Sequence, residues 1–427
     1  MAQIDKTLTA FLKPITSRMP DKRLARTTEL AIKGIMGGQS PVITEIARGV
    51  ARDKKSVWPM AKRLYGLLSN DRIDHRDFLK GLYQIGQQAV AHYKPTHLVV
   101  ALDPVNFEKP YTSSLEGVST VMKSTPPALN GQARLTKGYP AMTATIVNLP
   151  VPALSYANWF SYTTDEFVSV NREIYRSIRI TRALFPHHRL RFVGDAGLDD
   201  QKIYHQIARV RGDFIIRACH NRTVEVYNVR LDRWETELLH DLTTSVPLVA
   251  TIRACFTHAR ETREVDVQLG WLAVRLPETQ QLVWALVIHD PDEEREIVLL
   301  TNIAIASADN ARLVYTEWRH RPKIEHVYRF EQEDGLDIED VRVRTIERMR
   351  RVFVLVMIAA LFVYHLADTW PKQAVTWLRY VGGKLGLTND RDGLYVLLQG
   401  IRAILVTVAT LSFAHHHPFP LDVFTYG

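Results

Sequence analysis

Residues 315–335, YTEWRHRPKIEHVYRFEQEDG, are basic, aromatic and helix-like, with Glu325 in their middle directly after Ile324. Trp318, Arg321, Glu325, Arg329 and Gln332 recur at steps of three or four, so on a helix they share one face. Pro322 has no amide hydrogen and suits a first helical position, so a new helix is expected to start there with Glu325 close to its N-terminal turn. Taken alone, a carboxylate among arginines is an ordinary surface ion pair, worth under ~1 kcal/mol. Two aspartates far upstream change that reading.

Thr96–Asp103, THLVVALD, is a continuous apolar run, as expected of a strand buried on both faces, and it ends in Asp103. His188–Asp195, HRLRFVGD, is a second such strand ending in Asp195, with a helix expected over Gln201–Val210. Neighbouring buried strands bring the residues at their ends together, and a helix packed on the sheet can add Glu325. Three converging carboxylates repel unless a cation neutralises them. Hard divalent ions, Mg²⁺ or Mn²⁺, suit an all-oxygen donor set. Two such ions about 4 Å apart serve in-line attack at a phosphodiester. Asp199 and Asp200 are alternatives to Asp195 but lie past the strand. Glu317 and Glu331 are alternatives to Glu325 but lack both the preceding Ile and an Arg four residues earlier.

The chain around these acids has 427 residues, enough for two or three domains, and a net charge of +8. Residues 1–95 carry 17 Lys and Arg against 8 Asp and Glu, whereas the other 332 residues carry 37 against 38. A basic arm on a near-neutral body points to a polyanionic partner. Residues 1–92 read as helices, and Ser40–Asn70 has helix-turn-helix texture. There Ile43, Ile46 and Val50 face a core, and Lys54, Lys55, Lys62 and Arg63 are placed to meet phosphates.

Residues 104–138 read as a surface loop, Pro140–Leu149 and Leu154–Trp159 as strands, Val168–Phe185 as a helix and Asp213–Ala218 as a strand. Short strand-like runs over 219–296 suggest an antiparallel β insertion, and Ile297–Ile305 returns to a buried strand. Ser307 is placed to cap the next helix. Val352–Val363 is too short for the ~20 residues of a bilayer span and reads as a buried core helix. The tail, 371–427, is expected to be helical, with His415–His417 incidental. Cys219 and Cys255 are the only cysteines and form no CxxC, which argues against a disulfide framework or a cysteine zinc site. No secretory signal opens the chain, so a cytosolic compartment is expected.

The order strand–Asp103, strand–Asp195, helix–Glu325, with RFVGDAG around the second acid and RPKIEHVYRFEQEDGL around the third, resembles the DDE transposases of bacterial insertion sequences. In that cut-and-paste group a ribonuclease-H-like core is interrupted by a β insertion. The resemblance spans roughly residues 20–370. It implies an α/β fold whose mixed sheet, flanked by helices, is formed by 93–218 and 297–370. The insertion would occupy 219–296, and an all-α DNA-binding region would precede the core. It carries the catalytic and metal-ligating roles onto Asp103, Asp195 and Glu325, with two Mg²⁺ ions, and places Trp318, Arg319, Arg321 and Arg329 near DNA. It further implies a homodimer acting on paired terminal inverted repeats of double-stranded DNA, in a bacterial, nucleoid-associated setting with no membrane partner. Trp318 stands where the family has Tyr, and Gln332 where it has Lys, leaving Arg329 as the nearest cation. A nuclease or resolvase on the same fold, or a DNA-binding derivative without catalysis, are the alternative functions.

Overall fold

The computed structural model describes residues 2–51, 53–110, 112, 114–123, 134–258, 261–291, 296–332, 335–383 and 393–416. The Lys54 side chain, those of His415 and His416, and all of His417 lie outside the described residues. Five helices open the chain: α1 (Ala2–Thr16), α2 (Lys22–Gly38), α3 (Ile43–Val50), α4 (Val57–Leu68) and α5 (His75–Tyr93). Asp21 and Asp74 cap α2 and α5 by accepting from backbone amides of the first turn. Helices α2 and α3 approach so closely that a methyl on Gly34 would meet the Ile46 carbonyl at 2.4 Å and one on Gly49 the Gly34 carbonyl at 2.6 Å. Ile43 and Ile46 are buried and Val50 is half-buried.

The middle of the chain builds the sheet. In order come β1 (Leu98–Glu108), β2 (Ser119–Met122), β3 (Leu135–Ile146), β4 (Ala153–Trp159), α6 (Val170–Leu184), β5 (Leu190–Gly194), α7 (Gln201–Arg209) and β6 (Asp213–Arg217). β7 (Thr223–Asn228), β8 (Arg233–Leu238), α8 (Leu239–Thr243), β9 (Ala250–His258), β10 (Glu261–Arg275), β11 (Leu282–His289) and β12 (Ile297–Thr301) follow. Among the described residues these form a 12-stranded sheet in the order β2-β3-β1-β5-β6-β12-β11-β10-β7-β8, with β4 on β3 and β9 on β10. β1, β5 and β6 are parallel, while β3 and β12 flank them antiparallel. The result is a large mixed sheet flanked by helices, consistent with a ribonuclease-H-like core. Strands β7 to β11 extend that same sheet beyond β12.

Two expectations need correction. β1 does not end at Asp103. β3 hydrogen-bonds to it from Val100 through Glu108, so it continues after β5 has stopped. Pro104 is tolerated there because β5 does not reach it. Residues 104–138 are accordingly not one loop: they hold the end of β1, all of β2 and the start of β3, which pair with one another.

The sheet's two faces are covered by different helices. Val100, Phe192 and Phe214 face α6 and α7. Val99, Ala101, Val193 and Ile215 face the helices α9 (Ala308–Trp318) and α10 (Pro322–Gln332), with Ser307 capping α9. Among the described residues three further α-helices follow: α11 (Ile346–Thr369), α12 (Lys372–Gly382) and α13 (Leu394–His416). α11 is long enough to span a bilayer, but its apolar stretch Val352–Val363 is buried throughout between the opening helices and β1–β4.

Arg351 ties α11 to the opening helices. It donates to the Leu68 carbonyl at 2.9 Å, the Asn70 carbonyl at 3.0 Å and Glu347 at 3.1 Å. Burial works to raise the Glu347 carboxyl, but hydrogen bonds and charge from His75 and Arg351 override it and hold it at about 2. A depressed carboxylate stabilises the fold above its unfolded value near 4.5, and that contribution is lost as pH falls towards 2. Arg351→Met strands two carbonyls and loosens Glu347. In urea denaturation it is expected to cost ~2–4 kcal/mol at pH 7 and to flatten the acid limb of the stability curve.

Candidate active site

The register of β1 and β5 decides where the aspartates lie. Their pairing ends at Ala101 opposite Val193, and Asp103 and Asp195 each stand two residues further on. Alternation along a strand puts them on the face of Ala101 and Val193, the face covered by α9 and α10. Glu325 sits in the first turn of α10, next to Ile324 and one turn before Tyr328, both of which are buried in that same cluster. The helix is pinned at three points. Tyr328 shares a hydrogen bond with Thr143 and donates to the Asp103 carbonyl at 3.4 Å, and Lys323 donates to the Val147 carbonyl at 2.9 Å.

Arg321, at the α9–α10 junction, joins the acids. Its guanidinium lies 2.7 Å from Glu325 and 3.4 Å from Asp195. Asp103 is only 9% exposed. Burial pushes its carboxyl up to about 7; Arg321 opposes the rise, and the charges of Asp195 and Glu325 add to it. All three acids therefore act on one another across a single guanidinium. Their oxygens are not drawn as close as the ligand atoms of Asp74, His75 and Glu347, which all lie within 4.8 Å of one another.

When all three are ionised, the carboxylates outnumber the single guanidinium, and the excess negative charge attracts divalent cations. Arg321 Nε is also buried with no acceptor. The donor set is hard and all-oxygen, so Asp103, Asp195 and Glu325 are the residues fitted to hold Mg²⁺ or Mn²⁺.

No family model and no curated protein matches the chain. Among solved structures, a similar chain is that in the cryo-EM structure of the piggyBac transposase synaptic complex with hairpin DNA. It shares 8% sequence identity at a TM-score of 0.43, over 97% of this chain and 81% of that one. Likeness at that level carries no weight for function. The placement of the acids does.

The competing acids are all committed elsewhere. Asp199 is held by Arg222 at 2.6 and 2.9 Å, and Asp200 caps α7 through the Lys202 amide. Glu317 is buried against Arg191 and His97. Glu331 is fully buried, and neither of its carboxyl oxygens has a partner. Trp318 turns inward and donates to the Gly194 carbonyl at 3.3 Å, bracing the strand end that carries Asp195. Arg319 donates to the Cys255 carbonyl at 2.9 Å and so ties α9 to β9. Gln332 donates to the Asn106 carbonyl and to Glu339, each at 3.4 Å. Arg329, Lys55, Lys62 and Arg63 are exposed, Arg63 donating to Thr27 at 2.8 Å. The supporting roles of Tyr328, Lys323 and Trp318 were missed in the sequence, because no local pattern marks a side chain that reaches a distant backbone.

Burial raises the Glu331 carboxyl to about 8. A raised carboxyl stabilises the fold below its unfolded value near 4.5, and the contribution is lost as pH climbs through 8. Glu331→Gln removes that titration. Between pH 5 and pH 9 the variant's Tm should fall less than the wild type's, ending higher by several degrees at pH 9 in a thermal melt.

Proposed function

We propose that the chain is a DNA transposase in which Asp103, Asp195 and Glu325 hold two Mg²⁺ ions, replaceable by Mn²⁺, and which cuts and rejoins the ends of a mobile element. The observation that carries this reading is the gathering of the three acids on one sheet face around Arg321. Bound there, the ions would supply Lewis acidity at the phosphodiester and a more acidic attacking water or 3′-hydroxyl. The protein's own part is positional. The β1–β5 register fixes the two aspartates, Tyr328 and Lys323 fix the helix bearing Glu325, and Arg321 orients two of the acids.

The basic opening helices would bind terminal inverted repeats through phosphate contacts from Lys54, Lys55, Lys62 and Arg63, with Arg329 contacting DNA beside the site. Two copies would be needed, because two ends have to be joined in one event. The compartment would be the bacterial cytoplasm, at the nucleoid.

The test is cleavage of supercoiled plasmid in Mg²⁺ by the full chain. Asp103→Asn, Asp195→Asn and Glu325→Gln should each lower the rate more than ~100-fold, beyond the loss typical of groups that only support a metal ligand. Mg²⁺ should raise the wild-type Tm and leave that of Glu325→Gln unmoved. Cleavage undiminished in Glu325→Gln would sink the assignment. Strand-transfer products from a labelled end separate a transposase from a nuclease on the same fold.

A further inference from the structure

A cavity of about 420 Å³ lies between α5, β4, α6 and Arg350 of α11. It is on the opposite face of the sheet from Asp103 and Asp195, because Tyr156, Phe160 and Phe167 on its walls belong to the core under α6 and α7. That volume suits a small molecule. Leu79, Tyr83 and Ile180 extend the apolar wall, and the Phe160 and Phe167 rings are parallel, 5.5 Å apart with 6° between their planes.

Four cations surround this apolar interior: Arg76, Lys80, Arg176 and Arg350. Two carboxylates line it with them, Glu166 and Glu173. Glu173 is buried and already satisfied, accepting from the Tyr156 hydroxyl and the Asn158 amide at 2.8 Å each and from Arg176 at 3.0 Å. It therefore neutralises Arg176 and leaves the other three. The Arg350 side chain is only 11% exposed and donates to the Trp159 carbonyl at 2.8 Å. Among the described residues the one carboxylate within reach of it is Glu166, 3.9 Å away on a side chain that is 74% exposed. A guanidinium taken out of water is costly unless an anion meets it. Arg76 has no ion-pair partner among the described residues, and Lys80 is held only by Asp77, 3.3 Å away and outside the cavity.

We propose that this cavity binds a small aromatic phosphate, its ring among Phe160, Phe167 and Tyr83 and its phosphate against Arg350 and Arg76. Arg76, Lys80 and Arg350 stand against the single acid Glu166, an imbalance that suits the dianion a phosphate monoester becomes near neutral pH. Arginine meets a phosphate with two parallel N–H donors, and a flat ring packs against aromatic walls. The phosphate takes the place that Glu166 holds loosely. An occupant would touch α5, β4, α6 and α11 at once and so brace the opening helices against the core. The site involves neither the three acids nor DNA and stands apart from the proposed function.

The probe is 1-naphthyl phosphate, titrated into the full chain by isothermal calorimetry without divalent ions or DNA. The wild type should bind it, and should bind 1-naphthol and inorganic phosphate at least tenfold more weakly. Arg350→Gln and Arg76→Gln should each weaken the probe about tenfold, and Arg76→Gln should also flatten its dependence on salt. Phe167→Ala should weaken the probe and leave the affinity for inorganic phosphate as it was. Glu166→Gln should tighten the probe about threefold by removing its competitor, a gain that a merely structural role would not produce.

No binding of the probe by the wild type at millimolar concentration overturns the proposal, as does affinity unaltered in both arginine variants. Inorganic phosphate bound as tightly as the probe would make this a plain anion site and is equally fatal. Displacement of the bound probe by short duplex DNA would make the cavity part of a DNA path and also ends the proposal. Should Arg350→Gln melt early, the exposed Arg76 decides through Arg76→Gln. Plasmid cleavage in Mg²⁺ is a separate measurement, so each of these failures leaves the catalytic reading standing.

Discussion

Negative charge gathered at one place has to be balanced, and in this protein the balance is struck by Arg321. Its guanidinium touches Asp195 and Glu325 and influences Asp103 from within the same face of the sheet. The arrangement requires two independent pieces of folding to agree. The parallel pairing of β1 and β5 sets the aspartates level, and the docking of α10 through Tyr328 and Lys323 sets the glutamate opposite them. A slip of one residue in the strand register would turn an aspartate to the other face. Val99 and Ala101 pack in one core and Val100 and Leu102 in the other.

The surrounding acids show how such a cluster is kept distinct. Asp199, Asp200 and Glu317 are each satisfied by cations or backbone amides of their own, so they do not compete for the space around Arg321. Glu331 is taken out of play differently: burial favours its neutral form. What remains at the sheet edge is three carboxylates with incomplete compensation. That is the condition under which a divalent ion binds and a phosphodiester can be attacked, and the proposed function follows from it.

Much of this was legible in the sequence, for definite reasons. Strands such as LVVAL and RFVG announce themselves because burial on both faces demands unbroken apolar runs. The start of α10 was readable because Pro322 suits only a few backbone positions. The extension of β1 was not readable, since Pro104, Asn106 and the partly exposed residues around them look like loop chemistry until β3 is seen alongside. Trp318 and Arg319 are basic or aromatic and were assigned to DNA. Both also donate to backbone carbonyls of this chain, partners more than sixty residues away that no local window contains. Gln332 is similar. As a departure from a lysine it looked like a lost charge, whereas its neighbours show it holding β1.

That last contact bears on how the sheet avoids the wrong partner. Where β5 stops, β1 runs on with β3 on one side only, which makes room for the acids but leaves main-chain groups facing outward. An unpaired strand edge invites pairing with another chain. Here Gln332 meets the Asn106 carbonyl and Glu339 receives the Glu108 amide at 2.8 Å, so side chains complete the ladder a further strand would otherwise supply. The gap beside the acids is thereby closed to an intruding polypeptide.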